Sequence, residues 1–136
     1  MLPANRRRGK RRGRPFPHHA GEIWEELARA SVPILHLFDK TWGPAGRWWG
    51  PGLDHQPLEI DLVAESAAGD ALLIGEVKWA SPDDPAHLLQ ELERKAKRLP
   101  FAAGREVFLA LWLKEAVGGA VGRQVMTPRE VLGGLR

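Results

Sequence analysis

Residues 58–79 read LEIDLVAESAAGDALLIGEVKW, and the division of this stretch decides the fold. Leu58, Ile60 and Leu62 alternate with Glu59 and Asp61, the period of two expected of a strand with an acidic outer face. In the second half Leu72, Ile74, Glu76 and Lys78 share one face, and Leu73, Gly75, Val77 and Trp79 share the other, so both faces are at least half covered. Charge on a covered strand is costly without a partner. A polar turn at Ser66 to Asp70 joins the halves, and folding the hairpin about its centre sets Asp61 opposite or diagonal to Glu76. Directly opposed residues of an antiparallel pair have Cβ atoms roughly 4.5–5.5 Å apart, a spacing at which two carboxylates hold one divalent cation or repel each other. Lys78 projects from the same face as Glu76 and aims its ammonium at whatever the acids bind. A slip of one residue in the pairing would undo this arrangement.

With 136 residues, 43% hydrophobic and 27% charged, the chain has the size and composition of one soluble globular domain with a real core. The absence of cysteine excludes disulfides, thiolate catalysis and cysteine-ligated zinc or iron–sulfur centres, so a metal would need oxygen or imidazole ligands. The longest apolar run, Val107 to Leu113, falls far short of the roughly 20 residues that span a bilayer. No apolar signal segment follows the N-terminal arginines, and a cytoplasmic protein is expected. The net charge of +3 conceals a division: residues 1–14 carry seven of the 20 Lys and Arg and none of the 17 Asp and Glu. Residues 1–17 are expected to be a disordered basic tail and residues 18–136 the single folded domain. Arg6, Arg7, Arg8, Lys10, Arg11 and Arg12 suit contact with phosphate backbones, and a solvated leader without a ligand is an equal alternative.

Taken in order, His18 and His19 have no metal-ligand spacing. Gly21 to Ala30 reads as a helix with Ile23, Leu27 and Ala30 on one side, Trp24 and Ala28 beside them, and Glu22, Glu25, Glu26 and Arg29 on the other; Pro33 ends it. By pattern alone Glu25 is half of a solvated i,i+4 pair with Arg29. Ile34 to Trp42 is a short strand or extended connection, Arg47-Trp48-Trp49 begins the first core strand, and Gly50 to Pro57 is a loop containing His55. Ser81 or Asp84 caps a helix that runs to about Leu99, with Leu88, Leu92, Ala96 and Leu99 buried and Lys95, Lys97 and Arg98 near its basic end. Glu106 to Leu113 is a strand covered on both faces. Gly118, Gly119 and Gly122 make a loop without a phosphate-cradling pattern, Gln124 to Met126 an edge strand, and Thr127 to Glu130 a capping box opening a helix that stops near Gly133. The order is αβββαβ with a small β–α end.

An Asp on one strand followed by Glu-x-Lys on the next resembles the PD-(D/E)XK nuclease superfamily. More narrowly, GRWW (46–49), EIDLVA (59–64) and GEVKW (75–79) look like the nuclease-like domain of unknown function found C-terminal to archaeal-type P-loop ATPases, over about Gly21 to Leu113. The resemblance implies an α/β restriction-endonuclease-like fold, a mixed central sheet flanked by helices. It also implies a metal-dependent nuclease hydrolysing phosphodiester bonds, in DNA by expectation, with Mg²⁺ or Mn²⁺ as cofactor. Asp61, Glu76 and the backbone carbonyl of Val77 would ligate the metal, and Lys78 would position the attacking water. A helix glutamate often completes such sites, which makes Glu25 a second-rank ligand with Glu26 as its rival. Gln90 or Lys95, on the helix after the Glu-x-Lys strand, would reach a DNA phosphate, although on helix-dipole grounds alone a solvated face with cations suiting a helix C-terminus is the favoured account. A P-loop ATPase partner and a homodimer are further expectations. The competing reading is a catalytically silent module of the same fold that binds nucleic acid or docks an ATPase.

Overall fold

The structure is a computed structural model that describes residues 19–80, 84–117 and 122–135. The basic tail with Arg6 to Arg12, His18, the Ser81 cap and the Gly118-Gly119 loop lie outside the described residues.

Among the described residues the α-helices and strands follow the expected order: α1 (His19–Leu35), β1 (Gly46–Pro51), β2 (Pro57–Glu65), β3 (Ala71–Lys78), α2 (Pro85–Lys97), β4 (Glu106–Leu113), β5 (Val125–Met126) and α3 (Pro128–Leu135). They build one mixed sheet in the order β1-β2-β3-β4-β5. The first three strands are antiparallel neighbours, and β4 lies parallel to both β3 and β5. A parallel step needs a crossover, and α2 supplies it between β3 and β4.

Helices cover both faces. On one, Trp24, Ala28 and Val32 of α1 and Val131 of α3 pack on Leu62, Ala64, Leu73, Val77, Ala110 and Trp112. On the other, Leu89, Leu92 and Ala96 of α2, with Leu99, pack on Ile60, Val63, Leu72, Ile74, Leu111 and Leu113. The β2–β3 turn holds the register: Ser66 Oγ donates to Asp70 Oδ1 at 2.9 Å and accepts from the Ala71 N–H at 3.0 Å. Gly69 takes φ of +80°, where a side chain would be strained.

Several boundaries differ from the sequence reading. α1 runs through Pro33 to Leu35, although proline removes the bond to the Arg29 carbonyl. Its last turn is held by α3, since Leu35 Cδ2 lies only 2.5 Å from where a Cβ on Gly134 would be. The buried stripe of α1 is Trp24, Ala28 and Val32, while Ile23 and Ala30 are exposed. Ile34 to Trp42 forms a helix end, a 3₁₀ turn at Leu37–Asp39 and a bridge from Trp42 to Ser66 rather than a strand. In α2 the stripe contains Leu89 in place of Leu88, and Asp84 is the cap, accepting from the Ala86 N–H at 3.1 Å. α3 continues past Gly133 to Leu135, behind a Thr127 whose N–H donates to Glu130 Oε1 at 2.7 Å.

Gly75 shows how tightly the α1 face is packed. A Cβ there would sit 2.6 Å from Trp112 Cζ3 and 3.2 Å from Leu62 Cβ. Overpacking of this kind costs about 1–3 kcal/mol, so Gly75→Ala is expected to lower the urea midpoint by a corresponding amount. An unchanged midpoint would show that the Trp112 ring moves aside freely.

Candidate active site

The acidic hairpin carries an irregularity that the sequence pattern does not show. Trp48 of β1 pairs with Ile60, but Gly46 pairs with Val63, so β2 holds one extra residue in this interval. The side-chain alternation resets there: Ile60 packs on the α2 face, whereas Leu62 packs on the α1 face. Leu58, Ile60 and Leu62 therefore do not share one face. A bulge that inserts one residue bends the strand and re-aims the side chains around it, and Asp61 lies at this reset.

Towards β3 the ladder is regular from Glu65↔Leu72 to Leu62↔Gly75. One further step in the same register would set Asp61 across from Glu76, and the Asp61 charge acts on that carboxylate. Val63 and Ile74, the pair one repeat back, both pack on the α2 face, which places the two acids on that face together. Asp61 Oδ2 accepts the Val77 N–H at 3.0 Å, and the Asp61 carbonyl accepts Arg29 Nη1 at 3.0 Å.

Glu76 has a side chain only 15% exposed, with Lys78 Nζ 3.5 Å from Oε2 and Lys95 Nζ 3.7 Å from Oε1. Lys95 also reaches the Glu59 carbonyl at 3.4 Å. Three residues after Leu92 and four before Leu99, Lys95 lies beside the buried stripe of α2, so its ammonium points toward the sheet. Burial holds the Glu76 carboxyl above its ordinary value, the Asp61 charge pushes it further up, and Lys95 and Lys78 draw it back only in part.

The other sequence candidates separate. Glu25 Oε1 is 3.7 Å from Arg29 Nη1, and Glu26 is exposed. Among the described residues no group of three or more His, Cys, Asp or Glu is placed to hold a metal ion, so neither glutamate joins the acid pair in such a cluster. Gln90 is exposed on α2. His55 lines a depression of about 720 Å³ with Arg47, Trp49 and Glu59, and that lining includes neither acid. Trp48 is buried in the core, as a packing residue should be. Sequence reasoning missed Arg29 as a contact of Asp61. Its neighbours Ala28 and Val32 mark it as bordering the buried stripe, but its target, a carbonyl 32 residues away, has no local signal.

The donor set suits a hard divalent cation. In an extended strand the N–H and C=O of one residue point toward the same neighbouring strand, so the Val77 carbonyl faces the side on which its N–H meets Asp61. Two carboxylates and a carbonyl are oxygen ligands of the kind Mg²⁺ takes while keeping waters of its own. A cation would also relieve the repulsion that raises Glu76. Because the folded value lies above the unfolded one, the contribution of Glu76 to stability is complete below the unfolded range and is lost as pH rises through the folded value. Glu76→Gln is therefore expected to stabilise the metal-free protein at about pH 8, with the advantage shrinking toward about pH 4 in paired denaturant melts. A destabilised variant at the higher pH would mean that the two lysine pairs outweigh the burial cost.

No curated protein and no solved structure is matched by the chain. The model of the DUF234 family, archaeal and bacterial proteins of unknown function, matches residues 10–98. That range takes in α1 to α2 and with them Asp61, Glu76, Lys78 and Lys95, while β4, β5 and α3 lie beyond it. Matched over about two-thirds of its length, the chain belongs to this family of archaeal and bacterial proteins of unknown function.

Proposed function

We propose that the protein is a metal-dependent nuclease of the PD-(D/E)XK type, with a restriction-endonuclease-like core, that hydrolyses phosphodiester bonds in DNA. The observation that carries this reading is the convergence of Asp61, Glu76 and Lys78 at the end of one bulged hairpin, beside the strand edge that bears the Val77 carbonyl. Asp61, Glu76 and that carbonyl would hold Mg²⁺ or Mn²⁺, which when bound polarises the phosphate and acidifies water. The chain supplies the rest. Lys78, with a side chain 46% exposed, has room to leave Glu76 and orient the attacking water or offset charge on the phosphorane-like transition state. Lys95 approaches from α2 and is suited to a non-bridging phosphate oxygen. Asp61 and Glu76 set the geometry for attack and give up no proton in it.

Residues Arg6, Arg7, Arg8, Lys10, Arg11 and Arg12 would add sequence-independent backbone affinity that weakens with salt. A P-loop ATPase partner and a cytoplasmic setting belong to the same proposal. Among the described residues no helix is long and apolar enough to cross a membrane. One observation favours the second reading, a silent nuclease-fold module: Glu76 is already flanked by two ammonium groups and Asp61 already accepts a main-chain N–H, so both acids have partners without a cation.

Cleavage of supercoiled plasmid in Mg²⁺ or Mn²⁺ separates the two. The wild type is expected to nick DNA, Asp61→Ala and Glu76→Ala to abolish nicking, and Lys78→Ala to slow it by roughly 10²–10⁴-fold. Lys95→Ala is expected to raise KM more than it lowers kcat. Binding without any metal-dependent cleavage of DNA or RNA, in single- or double-stranded form, would establish the silent module instead.

A further inference from the structure

We infer that Arg29 is the positioning residue that aims Asp61, and that Glu25 serves the site through Arg29 rather than as a metal ligand. The functional consequence rests on the nuclease reading, but the geometry does not.

A bulge leaves main-chain groups of the inserted residue outside the ladder, and buried carbonyls need a donor from elsewhere. At Asp61 that donor is Arg29 Nη1, 3.0 Å from the carbonyl oxygen. The bond ties the two faces of the sheet together. Arg29 belongs to α1, which packs on the face of Leu62 and Val77, while the Asp61 carboxylate accepts the Val77 N–H at 3.0 Å, near enough to Glu76 for its charge to act there. The main chain of Asp61 is thus held from α1 and its side chain from β3. If the carbonyl were released, the bulge would lose the contact that opposes its migration along β2, and a shift of one residue sends a side chain to the opposite face.

Glu25 fits this arrangement as the anchor of the guanidinium. Its Oε1 lies 3.7 Å from Arg29 Nη1, one helical turn away, and both side chains are largely covered at 25% and 21% exposure. Partial burial makes the pair more than a solvated surface contact. A planar guanidinium presents several donors in a fixed fork, so it can address a carboxylate and a carbonyl together, and a lysine ammonium reproduces this only in part. The helix glutamate that resembles a third ligand is accordingly placed to hold the residue that holds Asp61.

The test compares wild type, Arg29→Met, Arg29→Lys, Glu25→Gln and the Glu25→Gln/Arg29→Met double variant. Two readouts are used: hydrogen exchange of individual amides without metal, and Mn²⁺ affinity by calorimetry. In Arg29→Met the Val77 amide is expected to exchange several-fold faster while Ile74, inside the regular ladder, is unchanged. Mn²⁺ affinity is expected to fall roughly 10–100-fold, the range typical when a group supporting a metal ligand is removed. Arg29→Lys recovers part of both losses. Glu25→Gln gives a smaller loss in the same sense and adds nothing on top of Arg29→Met.

Wild-type Val77 protection and Mn²⁺ affinity in Arg29→Met would overturn the inference. So would a further drop in Mn²⁺ affinity when Glu25→Gln is added to Arg29→Met, because Glu25 would then be a ligand in its own right. If Arg29→Met fails to fold, Arg29→Lys and Glu25→Gln carry the same comparison. A wild type that binds no Mn²⁺ would refute the nuclease reading, while the Val77 exchange would still decide the role of Arg29.

Discussion

β3 is covered by helices on both faces, and from Ala71 to Gly75 every residue is buried. A strand in that position can carry charge only where the cover ends or where partners are supplied. Glu76 sits at this boundary, mostly buried, and its surroundings follow from the cost of its charge. Two lysines from different elements approach it, and the neighbouring acid works against them. A site that raises the cost of a carboxylate and adds a second carboxylate across the strand pair is one that a cation would relieve.

The bulge in β2 converts this electrostatic situation into a geometry. Without the extra residue, strict alternation would keep Leu62 on the side of Ile60; with it, Leu62 joins the α1 core and Asp61 stands beside Glu76. Asp61 is then fixed through its main chain by Arg29 and through its carboxylate by the Val77 N–H. Local packing, register and the candidate chemistry meet at one residue.

Much of this was legible in the sequence because it is local. The Ser66 to Asp70 turn with Gly69, flanked by two β-type segments, determined which residues of the hairpin oppose each other, and the acid pairing followed from its centre. The Asp84 cap and the apolar run of β4 were equally local signals. What escaped depends on partners distant in sequence. The bulge is defined by how β1 pairs with β2, so alternation read along β2 alone gave Leu62 the wrong face. α1 passes Pro33 because α3, about a hundred residues later, packs on its last turn. Lys95 was legible as a candidate from its place on α2, but its proximity to Glu76 required the crossover to be built. Arg29 read as a partner of Glu25, which it is, yet its second contact is made by a strand that helix periodicity does not see.

We propose that Asp61 and Glu76 form a cation site rather than a lysine-balanced structural cluster. Manganese binding followed by electron paramagnetic resonance tests it most directly, on the full chain and on Glu76→Ala. A cation site predicts saturable binding of one Mn²⁺ per chain, displaced by Mg²⁺ and lost in Glu76→Ala. Absence of binding at millimolar Mn²⁺, or binding that persists undiminished in Glu76→Ala, would contradict it.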